Sequence, residues 1–261
     1  MGRGKSPLPH SGLFALLLWG VLILPQSGHA GCLSPEVERL QFFEVEALYD
    51  GDTVRLVDGR SVRLIGLNTP EMGREQRVEQ ALAEEAKQRL RALLGHPATI
   101  GLYPGEESLD RYRRTLAHTF TTLGEDITAT LVGEGLGFVL VIPPNDWNSD
   151  CYIEAERQAR LNGKGIWGHP DYRPRSLQQL SGGGYQRIRG RVEAVKWSRQ
   201  WLWLELGHQL SVQIKKRDLR YFNVESLQEL QGKSITVQGW LVPRKQGYRM
   251  RLHHPSALKV E

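Results

Sequence analysis

The chain has 261 residues, of which 40% are hydrophobic and 24% are charged. This composition excludes disordered, collagen-like and polytopic membrane proteins, and it predicts a soluble globular protein of one or two domains. The net charge of +5 combines two unlike regions: residues 31–170 contain 15 Lys and Arg against 22 Asp and Glu, whereas residues 171–261 contain 17 against 7. We expect the basic region to attract a polyanion, with nucleic acid as the leading candidate, and the acidic region to offer carboxylates to a cation.

The first thirty residues are predicted to be a secretory signal peptide. Arg3 and Lys5 precede a twelve-residue apolar run at 13–24, and small residues follow at Gly28 and Ala30. The run is shorter than the roughly 20 residues that span a bilayer, and no comparable run follows it. We therefore expect cleavage after Ala30, a periplasmic or secreted protein, and no transmembrane helix after removal of the signal.

Cys32 and Cys151 are the two cysteines of the chain. In an exported protein an even number of cysteines favours a disulfide over a metal site. The alternative is a lipoprotein anchored through Cys32, because Ala30 and Gly31 suit a lipobox. His29 stands where an aliphatic residue is usual in that motif, so the disulfide is the favoured interpretation.

The elements predicted for the first region, in chain order, describe a compact β-barrel with packed helices. Alternating apolar and polar residues predict strands within 41–68, around a turn at Asp58-Gly59. Helical spacing of apolar residues predicts a helix from Val78 to Leu94, ended by Gly95. Further strands are predicted at 98–103 and 114–122, with helices from Asp126 and over 150–162.

A linker is predicted at 171–184, where Pro174 follows Pro170 and a triple glycine stands at 182–184. Beyond it, five short strands are predicted at 186–197, 201–206, 210–214, 235–242 and 248–253, with a helical segment between the third and the fourth. This order is typical of an OB-like barrel over 185–261.

A polar cluster is predicted at one end of the first barrel. The hairpin within 41–68 brings Asp50, Asp52, Asn68 and the carbonyl of Thr69 together, an oxygen-rich set that suits Ca²⁺. Arg63 lies at the same end, and Glu71 follows the proline. Considered without other motifs, this pattern is better explained as a turn with solvated surface charges.

Further motifs change that interpretation, because together they resemble the staphylococcal nuclease (thermonuclease) family from about residue 44 to residue 167. The motifs that carry the resemblance are Asp50-Gly51-Asp52-Thr53, the segment from Arg63 to Glu71, the segment from Asp110 to Ala117, the segment from Leu131 to Leu136, and Gly163-Lys164-Gly165-Ile166-Trp167. The resemblance implies an OB-type barrel over 31–170 and a nuclease active site.

The resemblance also implies roles for particular residues. Ca²⁺ is expected at the side chains of Asp52 and Asn68 and the backbone oxygen of Thr69, with Asp50 as a further ligand. Arg63 and Arg114 are expected to grip the scissile phosphate, and Glu71 to act as general base. Arginine suits the phosphate role independently of the family, because it stays ionised and binds phosphate in a bidentate way.

Two positions depart from the family pattern. Asn68 replaces a carboxylate ligand by a neutral amide, so we expect weaker Ca²⁺ binding and lower activity. Leu140 and Ile142 replace tyrosines that contact the nucleotide in the family, although Tyr112 remains. We therefore expect poorer base stacking in the first domain.

The second domain is expected to compensate by binding nucleic acid on its sheet face. Alternation places three arginines on one face of the first strand, aromatic residues on the next, and two arginines on the last. These residues are Arg187, Arg189, Arg191, Trp201, Trp203, Arg249 and Arg251. The alternative is a solvated face with Trp201 and Trp203 in the core.

The sequence as a whole predicts a mainly β protein with packed helices (α+β): an OB-type nuclease barrel followed by a second OB-like barrel. We expect an exported, monomeric nuclease that uses Ca²⁺ or another divalent cation to hydrolyse DNA or RNA. The chief alternative is a nucleic-acid binding protein whose nuclease-like site is inactive because of Asn68. A structural protein of the cell envelope, which binds neither nucleic acid nor metal, is the third class.

Overall fold

The computed structural model describes residues 1–2, 32–73 and 78–261. The predicted signal peptide, apart from its first two residues, lies outside the described residues and stays a prediction. Within the described ranges no helix is long and apolar enough to cross a membrane. Residues Cys32–Glu261 form one compact unit.

The first barrel closes through five strands. Its elements are β1 (Gln41–Leu48), β2 (Thr53–Leu56), β3 (Ser61–Leu64), β4 (Gly66–Asn68), α1 (Ala83–Leu94), β5 (Thr99–Leu109), β6 (Thr115–Phe120), α2 (Ile127–Gly133), β7 (Phe138–Leu140) and α3 (Ser149–Leu161). The barrel order is β1-β2-β3-β6-β5, and β4 pairs with β7 beside it. Strand β1 pairs with both β2 and β5, and β3 runs parallel to β6.

The second barrel repeats this topology. Its elements are β8 (Arg175–Ser176), β9 (Gly184–Trp197), β10 (Trp201–Leu206), β11 (Leu210–Lys215), α4 (Val224–Gln228), β12 (Ser234–Pro243), β13 (Tyr248–Leu252) and β14 (Leu258–Val260). Strand β9 pairs with both β10 and β12, and β11 runs parallel to β13. In each barrel a helix lies between the third and fourth barrel strands, so the predicted pair of OB-type barrels is confirmed.

The strands alternate between core and surface, as the sequence pattern predicts. In β10, Leu202 and Leu204 are fully buried while Trp201 and Trp203 are partly exposed. Each fully buried leucine contributes about 1.5–3 kcal/mol through removal of apolar surface from water. The core therefore fixes which side chains face outward, and the alternative with both tryptophans in the core is wrong.

The helix predicted from Val78 begins later, at Ala83. Leu82 adopts φ of 65°, in the left-handed region, so regular helix cannot extend through it. Val78 is 89% exposed and lies outside the packed face. The short strands β7 and β14 were not predicted, because three residues are too few for a periodic signal.

The segment that begins at Cys32 is attached to α3 and to the residue before it. Cys32 and Cys151 form a disulfide, with their Cα atoms 5.3 Å apart. Asn148 donates from Nδ2 to the carbonyl of Leu33 at 2.7 Å and accepts from the amide of Leu33 at 3.0 Å. A lipid anchor on Cys32 would need the sulfur that this disulfide uses, so the two interpretations exclude each other.

The two barrels meet around Trp167. The guanidinium of Arg160 on α3 lies 4.2 Å from the centroid of the indole ring, and that of Arg187 on β9 lies 4.8 Å from it. Aromatic packing continues beside this contact, where the rings of Phe138 and Tyr185 have centroids 5.1 Å apart. These contacts connect the helices of the first barrel to the first strand of the second. The predicted boundaries 31–170, 171–184 and 185–261 stay a prediction, because contacts alone do not show separate folding.

A buried hydrogen-bond network of titratable groups surrounds Tyr152, the residue after Cys151 on α3. Asp126 caps α2 by accepting from the amide of Ala129 at 2.9 Å, and it accepts from the hydroxyl of Tyr152 at 2.9 Å. Nδ1 of His118 lies 3.3 Å from the same hydroxyl. Burial raises the pKa of Asp126 to about 6 and lowers the pKa of His118 to about 4. The folded state therefore favours the uncharged form of both groups.

We expect Asp126→Asn to make the protein more sensitive to acid. The ordinary pKa of Asp126 is 3.8, so its ionisation removes stability as the pH rises from about 4 to about 6. His118 has the opposite sign, since its pKa falls from 6.5 to about 4 and stability is lost as the pH falls through that window. The variant keeps only the His118 contribution, so between pH 6.5 and 4 its unfolding free energy should fall about 2–3 kcal/mol further than that of the wild type.

Urea unfolding at closely spaced pH values measures this difference. Asp58→Asn is the matched control, because the hydrogen bond from Arg60 lowers the pKa of Asp58 and moves its titration below the window. Parallel stability curves for the wild type and Asp126→Asn would contradict the assignment.

Candidate functional site

The loop between β1 and β2 contributes Asp50 and Asp52 to the predicted polar cluster. The amide of Asp52 donates to Oδ1 of Asp50 at 2.9 Å, which closes a tight turn. A Cβ atom at Gly51 would lie 2.8 Å from Cβ of Ala86 and 2.8 Å from Cγ2 of Thr69. The loop thus packs against both α1 and the end of β4, and only glycine fits at this approach.

Asp52 is the centre of the cluster. Its Oδ2 accepts from the amide of Thr69 at 2.8 Å and lies 3.1 Å from Nη2 of Arg63, while its Oδ1 accepts from the hydroxyl of Thr53 at 2.9 Å. Nη2 of Arg63 also lies 3.3 Å from Oδ1 of Asn68, as donor. The structure therefore brings together the predicted residues Asp52, Arg63, Asn68 and Thr69, all of them buried.

The cluster holds two carboxylates that are almost fully buried. Burial, followed by the negative charge of Asp52, raises the pKa of Asp50 from its ordinary 3.8 to about 7. The positive charge of Arg63 acts in the opposite direction. Additional positive charge at this point would stabilise both carboxylates in the ionised form.

Arg114 reaches the cluster from the start of β6. Its Nε and Nη2 lie 2.8 Å from Oδ2 of Asp110, and its Nη1 donates to the hydroxyl of Thr53 at 3.4 Å. Burial acts to raise the pKa of Asp110, but hydrogen bonds from Arg114 outweigh it and hold the pKa below its ordinary range. Tyr112 is 66% exposed beside this pair.

Glu71 lies just beyond the cluster, on the segment after β4. Its side chain is half-buried, and its amide donates to Oε1 of Gln80 at 2.8 Å. The amide of Gln80 returns a hydrogen bond to the carbonyl of Glu71 at 3.0 Å. Glu71 and Gln80 are thus joined by two hydrogen bonds, while residues 74–77 between them lie outside the described part of the chain. The role of Glu71 as general base stays a prediction.

A cleft of about 530 Å³ extends from the arginines of the first barrel to the outer face of β12 and β13. The first barrel contributes Arg63, Tyr112 and Arg114, and the second contributes Arg249 and Arg251. Five residues that were predicted on two separate domains therefore line one cavity. Arg251 also lies over Trp201, 4.5 Å from the ring centroid, and thereby connects the cleft to β10.

The three arginines predicted on one face of β9 are not part of this lining. Arg187 donates to the carbonyl of Tyr172 at 2.9 Å, and burial, followed by the charge of Arg160, lowers the pKa of Arg187 to about 10. Arg189 lies 3.1 Å from Glu261, and Arg191 donates to the carbonyl of Gly232 at 2.9 Å. Arg187 thus belongs to the contact between the barrels, while Arg189 and Arg191 remain exposed on β9.

Sequence reasoning did not assign to a site three residues that the second barrel contributes to the cleft. Trp240 and Val242 alternate with the buried Leu241 on β12, a pattern that placed them outside the core but gave no sign of the first barrel opposite. His253 follows β13 and lies 3.3 Å from Asp218, a buried carboxylate of the same barrel. Alternation identifies such outward residues, whereas the cavity they line depends on how the barrels pack.

The oxygen atoms of the polar cluster, which we call the oxygen cluster, suit a hard cation. Within the described residues no group of three or more His, Cys, Asp and Glu side chains could hold a metal. The cluster instead combines two carboxylates with the amide oxygen of Asn68 and the carbonyl of Thr69, and such an oxygen-only set suits Ca²⁺. The hydroxyl of Thr69 is buried here without a hydrogen-bond partner. A cation with its waters would satisfy such a group.

Comparison with known proteins agrees with this geometry. Residues 61–169 match the family model described as staphylococcal nuclease homologue. The matched range includes Arg63, Asn68, Glu71 and Arg114, whereas the loop with Asp52 precedes it. No curated protein matches the chain.

The fold and the match define the first barrel as a domain of the nuclease-like OB class. This domain is a staphylococcal nuclease homologue, so the resemblance seen in the sequence is confirmed. A domain of this family indicates a nuclease-like or nucleic-acid-binding function.

We expect Gly51→Ala to destabilise the protein by about 1–3 kcal/mol, because its Cβ would overlap Ala86 and Thr69. Gly133→Ala on α2 is the matched control, since its Cβ would meet Ala155 at an ordinary 3.9 Å and alanine favours helix. Thermal unfolding of both variants tests the packing of the loop, and equal melting temperatures would show that the loop is not held against α1.

Proposed function

We propose that the protein is an exported, divalent-cation-dependent nuclease that hydrolyses phosphodiester bonds of a DNA or RNA strand bound between the two barrels. The observation that carries the proposal is the cleft itself. At one end lie Arg63 and Arg114 beside the oxygen cluster, and at the other lie Arg249 and Arg251 of the basic barrel.

The chemistry of phosphodiester hydrolysis requires this concentration of positive charge. Negative charge on the phosphate repels a nucleophile, and charge builds on the phosphoryl oxygens as the bond to the nucleophile forms. Arg63 and Arg114 present planar guanidinium groups that match two phosphate oxygens at once. Fixed donors of this kind stabilise the transition state without reorganisation at the moment of reaction.

The cation is proposed to be Ca²⁺, held by Asp52, the amide oxygen of Asn68 and the carbonyl of Thr69, with Asp50 as a further ligand. When bound, it would polarise a phosphoryl oxygen and an adjacent water. Glu71 is proposed to accept the proton of that water, provided that it comes within about 3 Å of it. Arg63 lies near oxygens of Asp52 and Asn68 that a cation would use, so the guanidinium and the cation share these acceptors.

The second barrel is proposed to hold the strand. Its face offers Arg249, Arg251, Trp201 and Trp203, and the charge of residues 171–261 favours a polyanion. We further propose that the protein acts as a monomer in the periplasm or outside the cell, after removal of the signal peptide. The disulfide supports an oxidising compartment.

A second candidate function is nucleic-acid binding without cleavage. The contact that favours it is the one between Arg63 and Asn68, at 3.3 Å. A neutral amide at position 68 removes one negative charge from the cation site, and the guanidinium already pairs with Asp52. In that case Arg63 would bind a phosphate of the strand, and Asp52 would remain its counter-ion within the cluster.

A calcium titration of nuclease activity tests the proposal and separates the two candidates. We expect cleavage of single-stranded DNA or RNA that stops on chelation, with half-saturation near the 10⁻⁴–10⁻³ M typical of extracellular Ca²⁺ modules. Asn68→Asp restores a charged ligand and should lower the half-saturating concentration by on the order of tenfold. The control is Asn162→Asp, at the exposed end of α3.

Three outcomes are informative. Equal midpoints for the wild type and Asn68→Asp would show that residue 68 is not a ligand. Binding of nucleic acid without cleavage, in the presence or absence of Ca²⁺, would favour the second candidate. Absence of both binding and cleavage would overturn both.

Arg114→Lys should lower the turnover rate roughly hundredfold, because lysine keeps the charge but loses the paired donors. Affinity for the strand should change much less. Arg157→Lys is the matched control, since Arg157 forms a similar ion pair with Glu154 on the exposed side of α3. Single-turnover kinetics with folding verified by thermal unfolding measure the effect, and an unchanged rate would remove Arg114 from the catalytic machinery.

A further inference from the structure

The lining of the cleft divides into a cationic part and an apolar part. Guanidinium groups come from β3, the 110–114 turn and β13, whereas apolar side chains come from residues 140–142 and β12 and also from residues 64–67 and 116. The apolar members include Leu140, Ile142, Trp240 and Val242. A nucleotide has the same division, since its phosphate is anionic and its base offers an aromatic face.

Trp240 is an exposed ring on a rigid support. It is 41% exposed, and its ring centroid lies 5.2 Å from that of Tyr185 in an edge-to-face arrangement. Tyr185 in turn packs on Phe138, with centroids 5.1 Å apart. Tyr185 and Phe138 therefore support one side of Trp240, and part of the indole remains open to the cleft. Ordering costs on binding are small for a ring that is already fixed.

Tyr112, the phenol ring of the lining, is 66% exposed but already lies against two guanidinium groups. The guanidinium groups of Arg111 and Arg114 lie 4.7 and 5.7 Å from the centroid of Tyr112. Leu140 and Ile142, on the first barrel, have no aromatic face at all. Among the phenol and indole rings of the described lining, Trp240 is therefore the one whose face is not already shared with a guanidinium group.

Trp240 also stands beside the cations. Val242 pairs with Arg249 across β12 and β13, and Trp240 lies two residues along the same face of β12. Arg251 occupies the matching position on β13, two residues from Arg249. A ring for base stacking on β12 and guanidinium groups for phosphate on β13 therefore lie on adjacent strands, as neighbouring side chains.

We propose that Trp240 is the platform on which one base of the bound strand stacks, while its phosphates contact the arginines of β13 and the first barrel. The proposal rests on the proposed binding of nucleic acid in the cleft and assigns the base-binding position within it. The base must be unpaired, because its face and edges are otherwise occupied in a duplex. The volume of about 530 Å³ is that of a small-ligand site and suits one or two such nucleotides.

A binding cycle with and without bases tests the platform. Full-length wild type and Trp240→Leu are each titrated, in the presence of a chelator, with an octamer of thymidine and with an octamer of the same sugar-phosphate backbone that carries no bases. Leucine keeps apolar packing against Tyr185 and removes the aromatic face. The preference of the wild type for the base-bearing octamer should fall about fivefold to a hundredfold in Trp240→Leu, with little change for the baseless octamer.

Two further variants control the cycle. Trp240→Phe retains a ring and should recover most of the preference, which a merely structural role would not require. Trp197→Leu removes an exposed ring of β9 that is not in the lining and should leave the preference unchanged.

An equal preference in the wild type and Trp240→Leu, or an equal loss in Trp197→Leu, would overturn the platform. Failure of the wild type to bind either octamer would overturn the proposed function as well. Because the chelator prevents cleavage, an inactive nuclease site would leave the outcome of the cycle unaffected.

Discussion

The site depends on how the second barrel is held against the first, and Trp167 is the centre of that contact. Two guanidinium groups, from Arg160 and Arg187, lie against its ring. Like charges this close repel, but the indole face and the nearby carboxylate of Glu156 offset the repulsion. Desolvated cation–π contacts stabilise by about 2 kcal/mol or more. Together with the packing of Tyr185 on Phe138, this contact helps to fix the outer face of β12 and β13 opposite the first barrel, where the cleft forms.

Asp52 plays a comparable part inside the first barrel. One carboxylate accepts from the hydroxyl of Thr53 and the amide of Thr69 and pairs with Arg63, so it ties together β2, β3 and the end of β4. The same carboxylate is the proposed cation ligand. The residues that fold this end of the barrel are therefore the residues that would carry out the chemistry. Arg63 acts as internal counter-ion to Asp52 while it lines the cleft as a phosphate donor.

Much of this arrangement could be predicted from the sequence, because it is local. Alternation identified the barrel strands, and hairpin pairing predicted that Asp52, Asn68 and Thr69 meet. The start of α1 was missed since the left-handed conformation of Leu82 has no periodic signal. The position of Arg187 in the contact between the barrels was missed for another reason. Alternation shows which face of a strand a side chain takes, but not which neighbouring domain covers that face.

The two barrels share a topology and use different surfaces of it. In the first, the polar cluster lies at the end of the barrel, where the β1–β2 loop meets the end of β4. In the second, the cleft residues lie on the outer face of β12 and β13. A fold of this kind fixes only which side chains face inward, and the outer positions remain free to differ. Leu140 and Ile142 offer no aromatic face on one barrel, and an aromatic residue, Trp240, lies on the other, at a position that the packing of the barrels brings into the same cavity.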